Sequence, residues 1–150
     1  MIIDKPAYTT GTDVVSLADM KLFLRVDHSD EDTTITALLN AAVAHISDYT
    51  NRHFTGASTV KFYLERWRPA SLAFGPVTRV ISVKYDDTSG TQQTLATSKY
   101  YFEELTDNTS RITFHDTPDL EMYNATPIVI ECECGLGESA SVQVATKLLV

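Results

Sequence analysis

The first third of the chain places apolar residues three and four positions apart, which is the period of an α-helix. The pattern occurs in residues 17–24 and again in residues 30–49. Because positions at this spacing lie on one helix face, the two stretches predict two helices that each bury an apolar stripe. The predicted packing positions are Leu17, Met20, Leu24, Ile35, Leu38, Leu39, Ala42, Val43, Ile46 and Tyr49.

Polar residues mark where these helices begin and end. Ser16 is a favourable N-cap, and Asp19 stands three residues later, where a capping-box partner belongs. Ser29 or Asp30 is expected to cap the second helix, whose acidic first turn suits the positive end of the helix dipole. Gly56 is expected to end the helical region.

The connection between the two helices places one cation among several carboxylates. Arg25 is close in sequence to Asp27, Asp30 and Asp32. We expect Arg25, with Asp27, to anchor this turn. The alternative is an exposed, solvated Arg25, because surface ion pairs contribute only about 0–1 kcal/mol.

After residue 57 the apolar residues alternate with polar ones, as in half-buried strands. In the second of these strands Ile81, Val83 and Tyr85 are expected to share one face. A hairpin is predicted with its turn at residues 107–110. The predicted strands are residues 60–64, 77–85, 91–95, 100–105, 111–115 and 127–134, followed by the closing element Gly135-Leu136-Gly137.

The helical period returns near residue 139, where Val142, Ala145, Leu148 and Leu149 lie on one side. The apolar residues Leu148, Leu149 and Val150 are expected to pack on this chain or on another one. The resulting layout predicts an α+β fold, in which a small helical bundle is interrupted by an antiparallel β block. Its expected parts are 1–55, first segment of the helical part; 56–137, β block; and 138–150, C-terminal helix returning to the helical part.

Residues 1–15 hold Pro6, Gly11 and several threonines, and are expected to form an extended arm before the first helix. A chain of 150 residues with 43% hydrophobic residues is long enough for one domain with a core. No apolar run approaches the roughly 18 residues of a membrane span, so no membrane partner is expected.

The chain carries 20 acidic and 12 basic side chains, a formal charge of −8. Non-specific nucleic-acid binding depends on Lys and Arg displacing counterions, so this composition argues against a protein that grips DNA. Arg66 and Arg68, on either side of Trp67, form the one place where a nucleic-acid contact is conceivable.

Cys132 and Cys134 continue the row that Ile128 and Ile130 begin, because strand positions two apart face the same way. They are predicted to be reduced, buried core residues. A single Cys-x-Cys pair is at best half of a metal site, and no second pair follows.

No catalytic, cofactor or metal residue is assigned. The acidic run 27–32 lacks the Gly and the final Glu of a calcium loop. The four histidines are scattered, and Glu103 and Glu104 point to opposite strand faces. Trp67, Tyr63 and Tyr85 suggest a carbohydrate groove, although aromatic residues in short strands more often belong to the core.

Several short segments are distinctive when they are taken together. The first runs from Val15-Ser16-Leu17 through Leu24-Arg25-Val26-Asp27 and an acidic pair to Tyr49-Thr50 and the basic Arg52. The later segments are 80–86, 128–137 and 142–150. Together these segments resemble head–tail connector, or adaptor, proteins of long-tailed bacteriophages and related prophages.

This resemblance implies a non-enzymatic protein without cofactors, which forms a ring, dodecameric in the assembled particle, beneath the portal protein. The ring would extend the DNA channel at the head–tail junction of the virion and dock a head-completion, stopper or tail protein. DNA would pass through without specific binding, and assembly would take place in the host cytoplasm. The helical packing positions would then also serve ring packing.

This sequence departs from the related connectors at its last helix, where it stops at Val150. Related connectors continue past the Leu-Leu-Val turn into an aromatic and basic helix end that reaches into the portal. Leu148, Leu149 and Val150 are therefore a candidate contact with the portal or a neighbouring subunit. Two other classes stay open: a small soluble binding module whose β block recognises a peptide or carbohydrate, and an enzyme without a recognisable motif.

Overall fold

A computed structural model describes residues 1–7, 10–54, 57–105, 109–136 and 139–150. The chain divides into two compact units. The β unit comprises Met1–Pro6 and Ala57–Cys134, and the helical unit comprises Ala7–Gly56 and Gly135–Val150. The predicted α+β class, with helices on either side of an antiparallel β block, is confirmed.

The helical unit contains four helices. Their bounds are α1 Gly11–Val14, α2 Leu17–Leu24, α3 Asp32–Thr50 and α4 Ala140–Leu149. The predicted Ser16 cap is confirmed, because its Oγ accepts the Asp19 N–H at 3.1 Å and donates to the Asp19 carboxylate at 2.7 Å. The first of these bonds satisfies a helix N–H that would otherwise have no partner, and the second holds the Ser16 hydroxyl in place.

The ends of α3 differ from the prediction. Its N-cap is Glu31, which makes no side-chain cap, so neither Ser29 nor Asp30 has that role. The main chain is still turning there, since the Ser29 carbonyl accepts the Asp32 N–H at 3.2 Å. The helix ends at Asn51, whose φ of 53° is left-handed, a conformation that Asn tolerates. The predicted stop Gly56 lies outside the described residues.

The core of the helical unit is formed by one face of α3 and the residues that cover it. Its buried members are Val14, Val15, Met20, Ile35, Leu39, Val43 and Phe54, with Leu17, Val26, Ile46, Leu136, Val142 and Val150 partly buried against them. Ala42 is also buried. Both sequence segments of the unit contribute to this cluster.

Three predicted packing positions lie outside that core. Leu24, Leu38 and Tyr49 are exposed, Tyr49 by 86%. At 3.6 residues per turn, Leu38 and Tyr49 lie on the edge of the stripe opposite Ser47, which is buried and donates its hydroxyl to the Arg52 carbonyl. The buried stripe is thus rotated toward Ser47, which the apolar pattern alone did not predict.

The predicted extended arm is confirmed at Ile2–Asp4, which are extended as a strand paired with a neighbouring strand, and wrong at Gly11–Val14, which form α1. The Gly11 N–H donates to Asn40 Oδ1 at 2.7 Å, and a Cβ on Gly11 would lie 2.3 Å from the Leu39 carbonyl carbon. Only glycine permits this close approach of α1 to α3.

The β unit contains two antiparallel sheets that share one core. The first has the order β1 Ile2–Asp4, β2 Ser58–Leu64, β8 Ile128–Cys134, β4 Val77–Asp86 and β5 Gln92–Thr94. The second has the order β3 Ala70–Leu72, β7 Ser110–Phe114 and β6 Tyr100–Glu104. Residues of both sheets, such as Phe62, Ile130 and Ile112, join a single buried cluster.

Most predicted strands are confirmed, with two differences. The segment between β2 and β4, where no strand was predicted, contains β3. Register shifts at Val77/Arg79 and Val80/Ser82 turn Ile81 outward, so it does not share the buried face of Val83. The predicted hairpin pairs β6 with β7, while its turn residues 107–108 and Gly137 of the closing element lie outside the described residues.

The two cysteines are free and fully buried in β8, as predicted. Burial raises the pKa of the Cys132 thiol to about 12 and that of Cys134 to about 11. Near neutral pH both are therefore thiols, which behave as small apolar side chains and react slowly.

Leu39→Ala should lower the free energy of unfolding by about 2–5 kcal/mol, since Leu39 is completely buried and its loss leaves a cavity. The matched control is its neighbour Leu38→Ala, which should cost less than about 1 kcal/mol because Leu38 is 45% exposed. Denaturant titration of both variants measures the difference. Equal losses would show that the buried stripe is assigned to the wrong face.

Candidate interaction surfaces

The turn between α2 and α3 is anchored by Lys21. Its Nζ lies 2.7 Å from Asp32 Oδ1, and the two side chains are 19% and 36% exposed. Arg25 instead occupies the left-handed position at the end of α2, with φ 59°. Within the described residues no carboxylate pairs with Arg25, and Asp27 is exposed. The prediction that Arg25 and Asp27 anchor this turn is therefore wrong.

The helical unit leaves several large apolar side chains uncovered. On α2 these are Leu22, Phe23 and Leu24, and on α3 they are Leu38 and Tyr49. Soluble monomers expose such residues singly, whereas consecutive ones are typical of contact surfaces. This part of α2 can therefore accept a partner without any change in the core.

Helix α4 turns its leucines outward. Val142 and Val150 pack against the helical core, and Thr146 is fully buried with its hydroxyl donating to the Val142 carbonyl at 2.8 Å. Leu148 and Leu149 are 74% and 53% exposed. Of the predicted contact residues, Val150 packs within its own unit, and the two leucines present their side chains to solvent.

The outer face of the large sheet carries paired charges. Arg79 binds Glu133 with Nη2 and Nε at 2.7 and 2.9 Å, and Lys61 lies 3.8 Å from Glu131. Hydrogen bonding to Arg79 lowers the pKa of Glu133, and the same bond raises the pKa of Arg79. Both glutamates of β8 are therefore engaged by cations on the neighbouring strands.

Trp67 does not form a stacking platform. Its indole N–H donates to the Pro118 carbonyl at 2.8 Å, and its ring meets Tyr85 and Phe114 edge-on at 5.6 and 5.1 Å between centroids. The suggested carbohydrate groove therefore lacks two of its aromatic faces. Arg66 and Arg68 are exposed and have no ion-pair partner in the described part of the chain.

The described residues contain no group of three or more His, Cys, Asp or Glu placed to hold a metal ion. Burial lowers the pKa of His53, and Nε2 of His115 lies 2.6 Å from the Ser98 carbonyl oxygen. Among the same residues, no helix combines the length and apolar character needed to cross a membrane.

Comparison with protein families defines the class, a structural protein of bacteriophage particles. The family model described as phage gp6-like head–tail connector protein matches residues 14–113, two thirds of the chain. The chain belongs to this family of head–tail connector proteins. The predicted family is thereby confirmed. The proteins of this family have a structural role as connectors. Comparison with curated proteins gave no match.

The fold is similar to chains of gene transfer agent (GTA) particles. One comes from the neck of an empty GTA particle computed with C6 symmetry, with TM-score 0.72, 19% identity and coverage of 99% of this chain and 83% of that one. A second, from the virion of a native GTA particle, has TM-score 0.73, 20% identity and coverage of 99% and 83%. A third, from a native GTA neck computed with C12 symmetry, has TM-score 0.71, 20% identity and coverage of 99% and 80%.

Lys21→Ala should lower the free energy of unfolding by about 1 kcal/mol, because it removes a partly buried ion pair and the packing of the Lys stem. Arg25→Ala is the matched control and should change it by less than about 0.5 kcal/mol. The measurement is denaturant unfolding at low and high salt. A larger loss for Arg25→Ala would restore Arg25 as the anchor of the turn.

Proposed function

We propose that this chain is a ring subunit at the head–tail junction of a phage or prophage particle, beneath the portal protein. The observation that carries the proposal is the family match over residues 14–113. A fold similar to neck chains over 99% of the chain supports it. The ring extends the DNA channel and docks the next head-completion, stopper or tail protein. The virion assembles in the host cytoplasm.

The ring is proposed to contain twelve copies. Support comes from the similar GTA neck that was computed with C12 symmetry. The uncovered residues Leu24, Leu38 and Tyr49 are proposed to contact other subunits, and Leu148 and Leu149 to contact the portal or a neighbour. All five are exposed in the isolated chain, so ring formation would bury apolar surface that folding leaves uncovered.

The channel role is proposed to be passive and non-catalytic. The formal charge of −8 repels the phosphate backbone, and the cations Lys61 and Arg79 are already paired with glutamates. A surface of this kind lets DNA slide, because few phosphates can exchange their counterions for protein side chains.

The ring is tested by co-producing the chain with the portal protein of the same phage and imaging the complex by electron microscopy. The expected result is a portal bound to a ring of connector subunits. Twelve copies of a 16.6 kDa chain add about 200 kDa to the portal mass. A portal that emerges without this chain, or with single copies of it, would contradict the proposal.

A titration with random duplex DNA at roughly 50 mM salt tests the passive channel. No binding is expected at micromolar protein, because the described surface has no cluster of unpaired cations beyond Arg66 and Arg68. The control is the double variant Arg66→Ala/Arg68→Ala. Micromolar binding by the wild type that disappears in this variant would move the protein into the class that holds DNA.

A further inference from the structure

The edge strand β3 is paired on one side only. It is the first strand in the order β3-β7-β6 of the small sheet. Its pairing with β7 is antiparallel, with Ala70 opposite Ile112 and Leu72 opposite Ser110. In such a pair, the N–H and C=O of one residue point at the partner strand, and those of the next residue point away. The direction of each residue of β3 therefore decides what its free side offers.

Two hydrogen bonds at the ends of the β6–β7 hairpin fix this alternation. The His115 N–H donates to the Lys99 carbonyl at 3.0 Å, and the Leu105 N–H donates to the Thr109 carbonyl at 2.8 Å. The register of β6 and β7 is constant between them, so the odd-numbered residues of β7 point their main-chain groups at β6. The even-numbered residues of β7 consequently point theirs at β3.

Ser71 is the residue of β3 whose main chain faces the open edge. Ala70 and Leu72 lie opposite even-numbered residues of β7 and form the bonds to that strand. The N–H and C=O of Ser71 point the other way, where no described strand pairs with them. Sheets commonly block such edges with Pro or with charge. Pro69 lies just before β3 and leaves the Ser71 N–H uncovered.

A groove lies beside this edge. It has a volume of about 380 Å³, and its lining includes Met1, Leu64, Ala70 and Ser71 together with Arg68. An extended chain laid along an edge strand turns alternate side chains to opposite faces. Strand addition therefore combines main-chain bonds, which supply affinity, with a pocket for a side chain, which supplies specificity.

The charged side chain in the groove lining has no ionic partner. Arg68 and its neighbour Arg66 are exposed, and neither forms an ion pair in the described ranges. Asp119 adjoins this region, because it follows Pro118, whose carbonyl accepts the Trp67 indole N–H. Among the described residues it pairs with neither arginine. An incoming carboxylate can therefore bind Arg68 without displacing an existing partner.

On the outer face of the small sheet the charges are balanced. Arg111 lies opposite Ser71 in the ladder, and Glu103 lies opposite Arg111 on β6. The preference for a negative partner at this edge thus comes from the arginines beside the groove. Pairing of β3 with β3 of a second copy would bring two Arg68 side chains together, which disfavours a symmetric dimer.

We propose that the β3 edge binds an extended, acidic segment of a different protein as an added strand. The segment exchanges main-chain hydrogen bonds with Ser71, places an apolar side chain in the groove and pairs a carboxylate with Arg68. The contact does not require a ring, so it can be tested on the isolated chain and separately from the ring.

An NMR titration of the labelled full chain tests the contact. The probe is a short blocked peptide of alternating Val and Thr with Glu at both ends, added up to about 5 mM. Saturable shifts are expected at the amides of Arg68, Ser71 and Ala73, which border the groove. The same peptide with Lys in place of Glu should bind at least about fivefold more weakly. No saturable shift at Ser71 with the Glu peptide would overturn the proposal.

Removal of the outward N–H separates strand addition from other modes of binding. Ser71→Pro removes this donor and no bond of the β3–β7 ladder, so the sheet is retained and binding should fall at least about fivefold. Ser71→Ala keeps the donor and is the matched control. A peptide N-methylated throughout tests the same bonds on the unaltered chain and should not bind. Full binding by that peptide, or by the Ser71→Pro variant, would contradict strand addition.

Charge reversal tests the role of Arg68. Arg68→Glu should invert the preference, so that the Lys peptide binds at least about fivefold more tightly than the Glu peptide. Arg25→Glu makes the same charge change in the helical unit and should keep the wild-type preference. An unchanged preference in Arg68→Glu would refute the pairing. Shifts of the same amides with random duplex DNA alone, or with rising protein concentration alone, would assign this edge to nucleic acid or to a second copy instead.

Discussion

The central strand β8 is the constraint on which the β unit depends. It pairs over its whole length with β2 on one side and through two register shifts with β4 on the other. Its inward residues Ile128, Ile130, Cys132 and Cys134 are completely buried, while its outward glutamates bind Lys61 and Arg79. A shift by one residue would exchange the two sets, burying charge and exposing apolar surface, so the register is strongly determined. The positions of the sheet edges follow from it.

Local rules predicted much of this structure because they depend on neighbouring residues. The Ser16 cap needs only a hydroxyl and an N–H three residues later. The buried face of β8 follows from the strict alternation of apolar and polar residues along the strand. The same alternation predicted the two strands β6 and β7 that pair as a hairpin. The family was recognised from short segments spread along the chain, none of which carries a chemical reaction.

The missed features depend on residues distant in sequence. Whether Leu38 or Ser47 borders the buried stripe depends on which elements pack on α3. One of these elements is α1, which contacts α3 through Gly11 and Asn40. Ile81 turns outward because of register shifts against β8, which alternation alone does not encode. The exposure of Met122 and Tyr123 was not predicted at all. A Met-Tyr pair among Asp, Glu and Asn was a possible signal, since a polar loop rarely contains two large apolar residues.

The discontinuous helical unit has a consequence for synthesis on the ribosome. Its core needs Val142 and Val150 from α4, which are translated only after the entire β unit. During that interval the apolar face of α3 has emerged without its full cover, and nascent chains in this condition are prone to association or chaperone capture. The β unit, by contrast, has its longest pairings once β8 emerges. The time needed to translate residues 51–150 therefore sets how long that face stays incompletely covered.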